Sequence, residues 1–191
     1  MSARQKKYSE EAEKIWKHFD FFYTRYILES LNRDVKFYLI KNHAQEFWDS
    51  TIGSNDIIYH ISGDLDVSWG LEKLIEFKVN INTTNPLGWT RLMSSIFKGD
   101  DDIVNALLEV DADVNVTGHG KVFGLWLACQ HCFLPLSTFE KLIKITDDEL
   151  IKSKDWSQHP LVRCPKKILY SIRGQKVSDY IKMLTQHGVK F

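Results

Sequence analysis

Asn85 to Thr117 reads NPLGWTRLMSSIFKGDDDIVNALLEVDADVNVT, and the order of residue types in it predicts a pair of helices. Thr90 precedes an apolar-periodic run, where its hydroxyl can accept an orphan backbone N–H and start a helix. Ser94 and Ser95 are small enough for that helix to lie close against a neighbour. Gly99 ends it where a positive φ is easiest. Asp100, Asp101 and Asp102 then open a second helix, at the end where acidic groups complement the helix dipole. Ile103, Val104, Leu107 and Leu108 give that helix one apolar face.

The same pattern recurs outside this stretch. Leu74-Ile75-Glu76-Phe77 lies over Leu107-Leu108-Glu109-Val110 at an offset of 33 residues. At that offset Asn80-Ile81-Asn82 falls on Asp113-Val114-Asn115, Leu92 on Leu125, and Ser95 on Ala128 and Ser62. A fixed period of this length is the signature of a repeat architecture. A two-helix unit cannot bury both faces alone, so each unit stacks on the next.

At these positions the central unit resembles an ankyrin repeat, through Gly88, Thr90, Leu92, Ser95, Gly99, Ile103, Val104, Leu107, Leu108, Ala112, Asp113, Val114 and Asn115. It departs from that family at Arg91 (usually Pro), Met93 (usually His), Ile96 (usually Ala) and Asp111 (usually Gly). The resemblance implies an all-α, ankyrin-like solenoid of stacked helix-turn-helix repeats with degenerate N- and C-terminal capping units. One domain, 1–191, is expected: a helical cap or degenerate repeat over 1–51, a repeat over 52–84, the best-matching repeat over 85–117, a repeat over 118–146 and a degenerate C-terminal repeat or cap over 147–191. In the 118–146 unit the outer-helix pair Leu142-Ile143 arrives two residues late. Asp179 to Phe191 is similar to another repeat end. Apolar spacing predicts helices over Ser9 to Leu31, started near Ser9, and over Asn32 to Trp48, with Trp16 and Trp48 in the core of the cap.

Ankyrin-like domains bind partners with hairpin tips and the exposed side of their inner helices. That implies a partner-binding surface at Pro86, Leu87, Trp89, Phe97 and Lys98 in the central unit. The matching positions are His119, Val122, Gln130 and His131 in the next unit, and Asp56, Asp64 and Leu65 in the preceding one. Trp89 is the leading candidate, because its position between Gly88 and Thr90 points outward and a large aromatic there is a natural hot spot. Trp126, aligned with Met93, is expected to pack. Asp113 and Asn115 are expected to hydrogen-bond the hairpin.

Composition limits the alternatives. Of 191 residues, 25 are Lys or Arg and 25 are Asp or Glu, so no net charge draws nucleic acid or an anionic membrane. The short basic clusters at Arg4 to Lys7 and at Lys166-Lys167 read as solvated faces. Three cysteines do not make a disulfide framework, and a reducing, cytoplasmic setting is expected. Neither a secretory leader nor a membrane-length apolar run is visible. Cys129 and Cys132 form a C-x-x-C that His159 and Cys164 could complete as a zinc set. Against this, Cys129 aligns with the core position Ile96. No Gly-x-Ser-x-Gly, P-loop, His-Glu-x-x-His or dinucleotide fingerprint occurs.

The expectation is therefore a protein-binding module with neither catalytic residues nor a cofactor. Without an attached catalytic domain, its simplest output is to occlude or inhibit its partner, as an immunity protein does to a toxin. The alternatives are an effector or viral mimic that captures a host protein, an enzyme with an unrecognised site, a zinc-binding protein and a scaffold.

Overall fold

The computed structural model describes residues 1–19, 30–50, 67–131, 133–159 and 172–191. It is mostly helical, and its extended pairing among the described residues is limited to two isolated bridges, Thr84 with Thr90 and Gly118 with Val122. The chain divides into two compact units, Met1–Thr83 and Thr84–Phe191. The division falls one residue before the start of the stretch 85–117. No helix among the described residues is long and apolar enough to cross a membrane.

In the first unit, α1 spans Ala3–Trp16. It begins at Ser2, whose hydroxyl accepts from the Gln5 amide while the Gln5 side chain accepts from the Ser2 amide. This reciprocal box satisfies two orphan donors and displaces the start expected near Ser9, which lies inside the helix. The expected second helix is two helices, α2 (Arg33–Asn42) and α3 (Ala44–Ser50). The break is at His43, where φ is −126° and ψ is 30°. Asn32 caps α2, its side chain accepting from the Asp34 amide at 2.9 Å. His43 stacks on Trp16 with ring centroids 3.9 Å apart, and Phe47 and Trp48 are fully buried. Trp48 is thus a core residue as expected, whereas Trp16 keeps part of its surface exposed.

The unit continues through α4 (Val67–Glu76) into a tight exit. Lys78 adopts a left-handed φ of 63°, and the Val79 amide reaches back to the Leu74 carbonyl at 3.1 Å. The loop beyond it is tied to α3, with Gln45 accepting from the Asn80 amide and the Thr83 hydroxyl donating to Asp49.

The second unit begins with the hairpin quoted above. Helix α5 spans Arg91–Lys98 and α6 spans Asp101–Glu109. Thr90 Oγ1 accepts from the Met93 amide at 3.2 Å, and Gly99 caps the C-terminus at φ 76°. Asp100 occupies the N-cap of α6 but makes no side-chain capping bond, so the acidic run acts through Asp101 and Asp102 in the first turn.

The second hairpin is α7 (Gly124–His131) and α8 (Leu136–Ile145). Helix α7 contacts α5, and α8 contacts α6, so inner helix lies beside inner and outer beside outer. The short α9 (Asp148–Lys152) and a 3-10 turn at Trp156–Gln158 follow. The last helix, α10 (Ile172–Gln186), packs on α8. There Tyr180 stacks on Phe139 at 3.5 Å, and its hydroxyl donates to the Leu134 carbonyl at 2.8 Å.

The period is visible in the backbone bonds. Asp111 repeats the left-handed turn of Lys78, with φ 58°, and the Ala112 amide donates to Leu107 as Val79 does to Leu74. Asn115 donates its amide to Asp113 Oδ1 as Asn82 does to Asn80 Oδ1. The end of α10 is a third copy: Gly188 takes φ 82°, and Val189 donates to Leu184. Glycine adopts that conformation without a side-chain penalty, whereas Lys78 and Asp111 adopt it at a cost.

Candidate functional site

The two hairpin tips of the second unit lie against each other. The first is closed by the Asn85 amide donating to the Trp89 carbonyl at 3.0 Å, the second by the Gly118 amide donating to the Val122 carbonyl at 2.7 Å. Asn85 Oδ1 also accepts from the Leu87 and Trp89 amides, which fixes the first tip from within. The His119 amide donates to the Leu87 carbonyl at 3.0 Å and joins tip to tip. This approach requires glycine. A Cβ on Gly88 would stand 2.9 Å from Gly118 Cα, and one on Gly118 would stand 2.8 Å from the Trp89 ring and 3.0 Å from the Leu87 oxygen.

Close packing of the tips turns apolar side chains toward solvent. Pro86 is exposed and Leu87 is 55% exposed. Trp89 is half-buried: its ring lies over Gly118 and meets Phe97 edge-on at 5.3 Å. Phe97 is half-buried as well, because it sits at the solvent edge of α5, where Leu92, Met93, Ser94, Ser95 and Ile96 are all buried. Trp89 thus both packs and presents a face. Lys98 and His119 are exposed, Val122 is half-buried, and Gln130 is exposed at the far end of α7. These residues share one unit. The side chain of His131 and the positions Asp56, Asp64 and Leu65 lie outside the described residues.

Beside this surface is a cluster that the sequence does not announce. Trp126, half-buried on α7, meets Trp156 at 5.0 Å and the edge of His159 at 4.2 Å. Trp156 is buried, and its indole N–H donates to the Ile151 carbonyl at 2.8 Å. His159 is buried, with Nε2 3.1 Å from the Trp126 carbonyl. A carbonyl only accepts, so the neutral ring there carries its proton on Nε2. Burial pushes the His159 pKa down to about 4; the Trp126 hydrogen bond opposes that shift and the nearby Lys154 charge adds to it. Lys154 places its ammonium 4.6 Å over the Trp126 ring and donates to the Gly120 carbonyl at 2.8 Å. Its pKa is lowered, first by burial and then by the charge of Lys121. Trp126 does pack, as its alignment with Met93 implies, but against the segment after α8, whose approach only the tertiary structure reveals.

Other expected roles are placed as follows. Asp113 accepts from Asn115, and Asn115 Oδ1 accepts from the Asp147 amide at 2.9 Å, so both act in the backbone of the loops. Cys129 is buried in the core position expected from Ile96. Its candidate zinc partners Cys132 and Cys164 lie outside the described residues. Among the described residues, no three or more His, Cys, Asp and Glu side chains are grouped so as to hold a metal. Arg91, where ankyrin repeats usually have proline, is fully buried at the first position of α5. No protein-family model matches the sequence, and neither does any curated protein.

Proposed function

We propose that this chain is an ankyrin-like protein-binding module that docks a partner on the tip face of its second unit and acts by occluding it. The observation that carries this reading is the exposed apolar strip Pro86–Leu87 continuous with the half-exposed Trp89–Phe97 pair. Burying such an aromatic anchor at an interface is a common source of binding energy. The 33-residue return of the inner helix, and of the exit turn from Lys78 to Asp111, supports the ankyrin-like reading. In such a stack the side chains at the tips do not hold the core together, so they are available for recognition. Occlusion follows from the form of the site, a surface strip that covers whatever it binds.

The test is affinity purification with the full chain, followed by measured dissociation constants for the recovered partner. Trp89→Ala is expected to weaken binding by about 2–4 kcal/mol, the range of an aromatic hot spot. Recovery of the same partner at equal affinity would contradict the assignment.

A further inference from the structure

The tip face has a chemical polarity along its length. At one end lie Leu87, Trp89 and Phe97. At the other lie Lys121 and Lys154, joined to the first end through Gly118, which touches Trp89, and Gly120, whose carbonyl holds Lys154. The two ammonium groups are close enough for Lys121 to disfavour the charge on Lys154. Among the described residues neither forms an ion pair with a carboxylate. Asp155, next in sequence to Lys154, is occupied with the Ser157 amide and hydroxyl. Exposed His119 lies in the same turn as Lys121.

Lys121 is also an expensive choice for its position. At the repeat offset it corresponds to Gly88, and both take the left-handed region, Gly88 at φ 73° and Lys121 at φ 56°. A lysine there carries a backbone strain that glycine would not. The backbone gains nothing from the side chain, whereas the surface gains a cation.

We infer that the segment this face takes from its partner is acidic: a peptide with an apolar anchor for Leu87, Trp89 and Phe97 and neighbouring carboxylates for Lys121 and Lys154. The inference rests on the protein-binding reading above. The anchor supplies desolvated area, and the carboxylates supply orientation and a partner for two like charges now held together.

The experiment is selection from a random peptide display library on the intact chain, followed by titration of the enriched peptides. Peptides combining Glu or Asp with Leu, Phe or Trp are expected. Their affinity should fall about tenfold in the Lys121→Gly/Lys154→Gln double variant, and about as much for twins carrying Gln for Glu. Lys121→Gly alone should unfold at equal or higher urea while still losing affinity, which a merely structural lysine would not do. Neutral or basic peptides, an absence of enriched peptides, or binding of oligouridine RNA in their place would overturn the inference. Binding lost in Trp89→Ala but kept in both lysine variants would overturn the acidic partner alone and leave the module. Binding kept in every variant would overturn both.

Discussion

The hairpins α5–α6 and α7–α8 follow one template and diverge at their corners. At the inner helix start, Thr90 caps α5 with a hydroxyl, while its counterpart Phe123 is a fully buried ring. At the tip turn, Gly88 meets a positive φ freely, while Lys121 meets it with a side chain. The inner helices keep the offset throughout, Arg91–Lys98 against Gly124–His131. The outer helices do not: α6 starts at Asp101 and α8 at Leu136, two residues later than the period allows. The difference shows which parts of a repeat tolerate drift. Inner helices α5 and α7 lie against each other, with Ser94 and Ser95 buried in α5. An outer helix can slide if its apolar face still finds a partner, as Phe139 finds Tyr180.

The largest effect is expected from Phe139→Ala. It empties a buried ring position of α8 and removes the stack on Tyr180, with an expected cost of about 3–5 kcal/mol in urea unfolding. The equivalent truncation in α6, Val104→Ala, deletes less volume and should cost less. If the two cost the same, α10 is not what holds the late outer helix in place.

A smaller effect separates the hairpins by pH. His159 backs α7 through Trp126, and its folded pKa of about 4 lies below the ordinary histidine value of 6.5. The unfolded chain therefore takes up the proton first as pH falls. This contribution is fully present above about pH 6.5, declines between there and about 4, and changes no further below. The loss is on the order of 1–3 kcal/mol, allowing for solvent near the ring. A His159→Gln variant should lose that segment of the pH–stability curve; a curve parallel to wild type would contradict the burial of His159.

The smallest effect concerns the exit turns. Asp111→Gly should raise stability by roughly 0.5–1 kcal/mol, because glycine relieves the left-handed φ that the third copy already meets with Gly188. A loss of stability would mean that the Asp111 side chain has a structural use.

How much of this was legible in the sequence follows the same division. The central hairpin was, because capping, small-residue and turn signals are local: Thr90, Gly99 and the Ala112 to Asn115 end all act within a few residues of where they stand. The candidate tip residues rest on the ankyrin resemblance, which places Pro86, Leu87 and Trp89 at the turn before α5. The aromatic cluster was not, since Trp126 and His159 are 33 residues apart and only tertiary packing joins them. Nor was Arg91, whose burial contradicts every local expectation for a guanidinium. The N-cap of α1 lies seven residues before Ser9 because Ser2 has Gln5 in register to complete a capping box.

In the second unit successive hairpins stack tip on tip and their tips form one continuous face. Amide hydrogen exchange at His119 reads out this stacking, since this N–H is exposed in a lone hairpin and bonded to Leu87 in the stack. The stacked arrangement predicts exchange slowed at least about a hundredfold relative to the unfolded chain. Exchange of His119 at the unfolded-chain rate would show the tips to be separate and the face discontinuous.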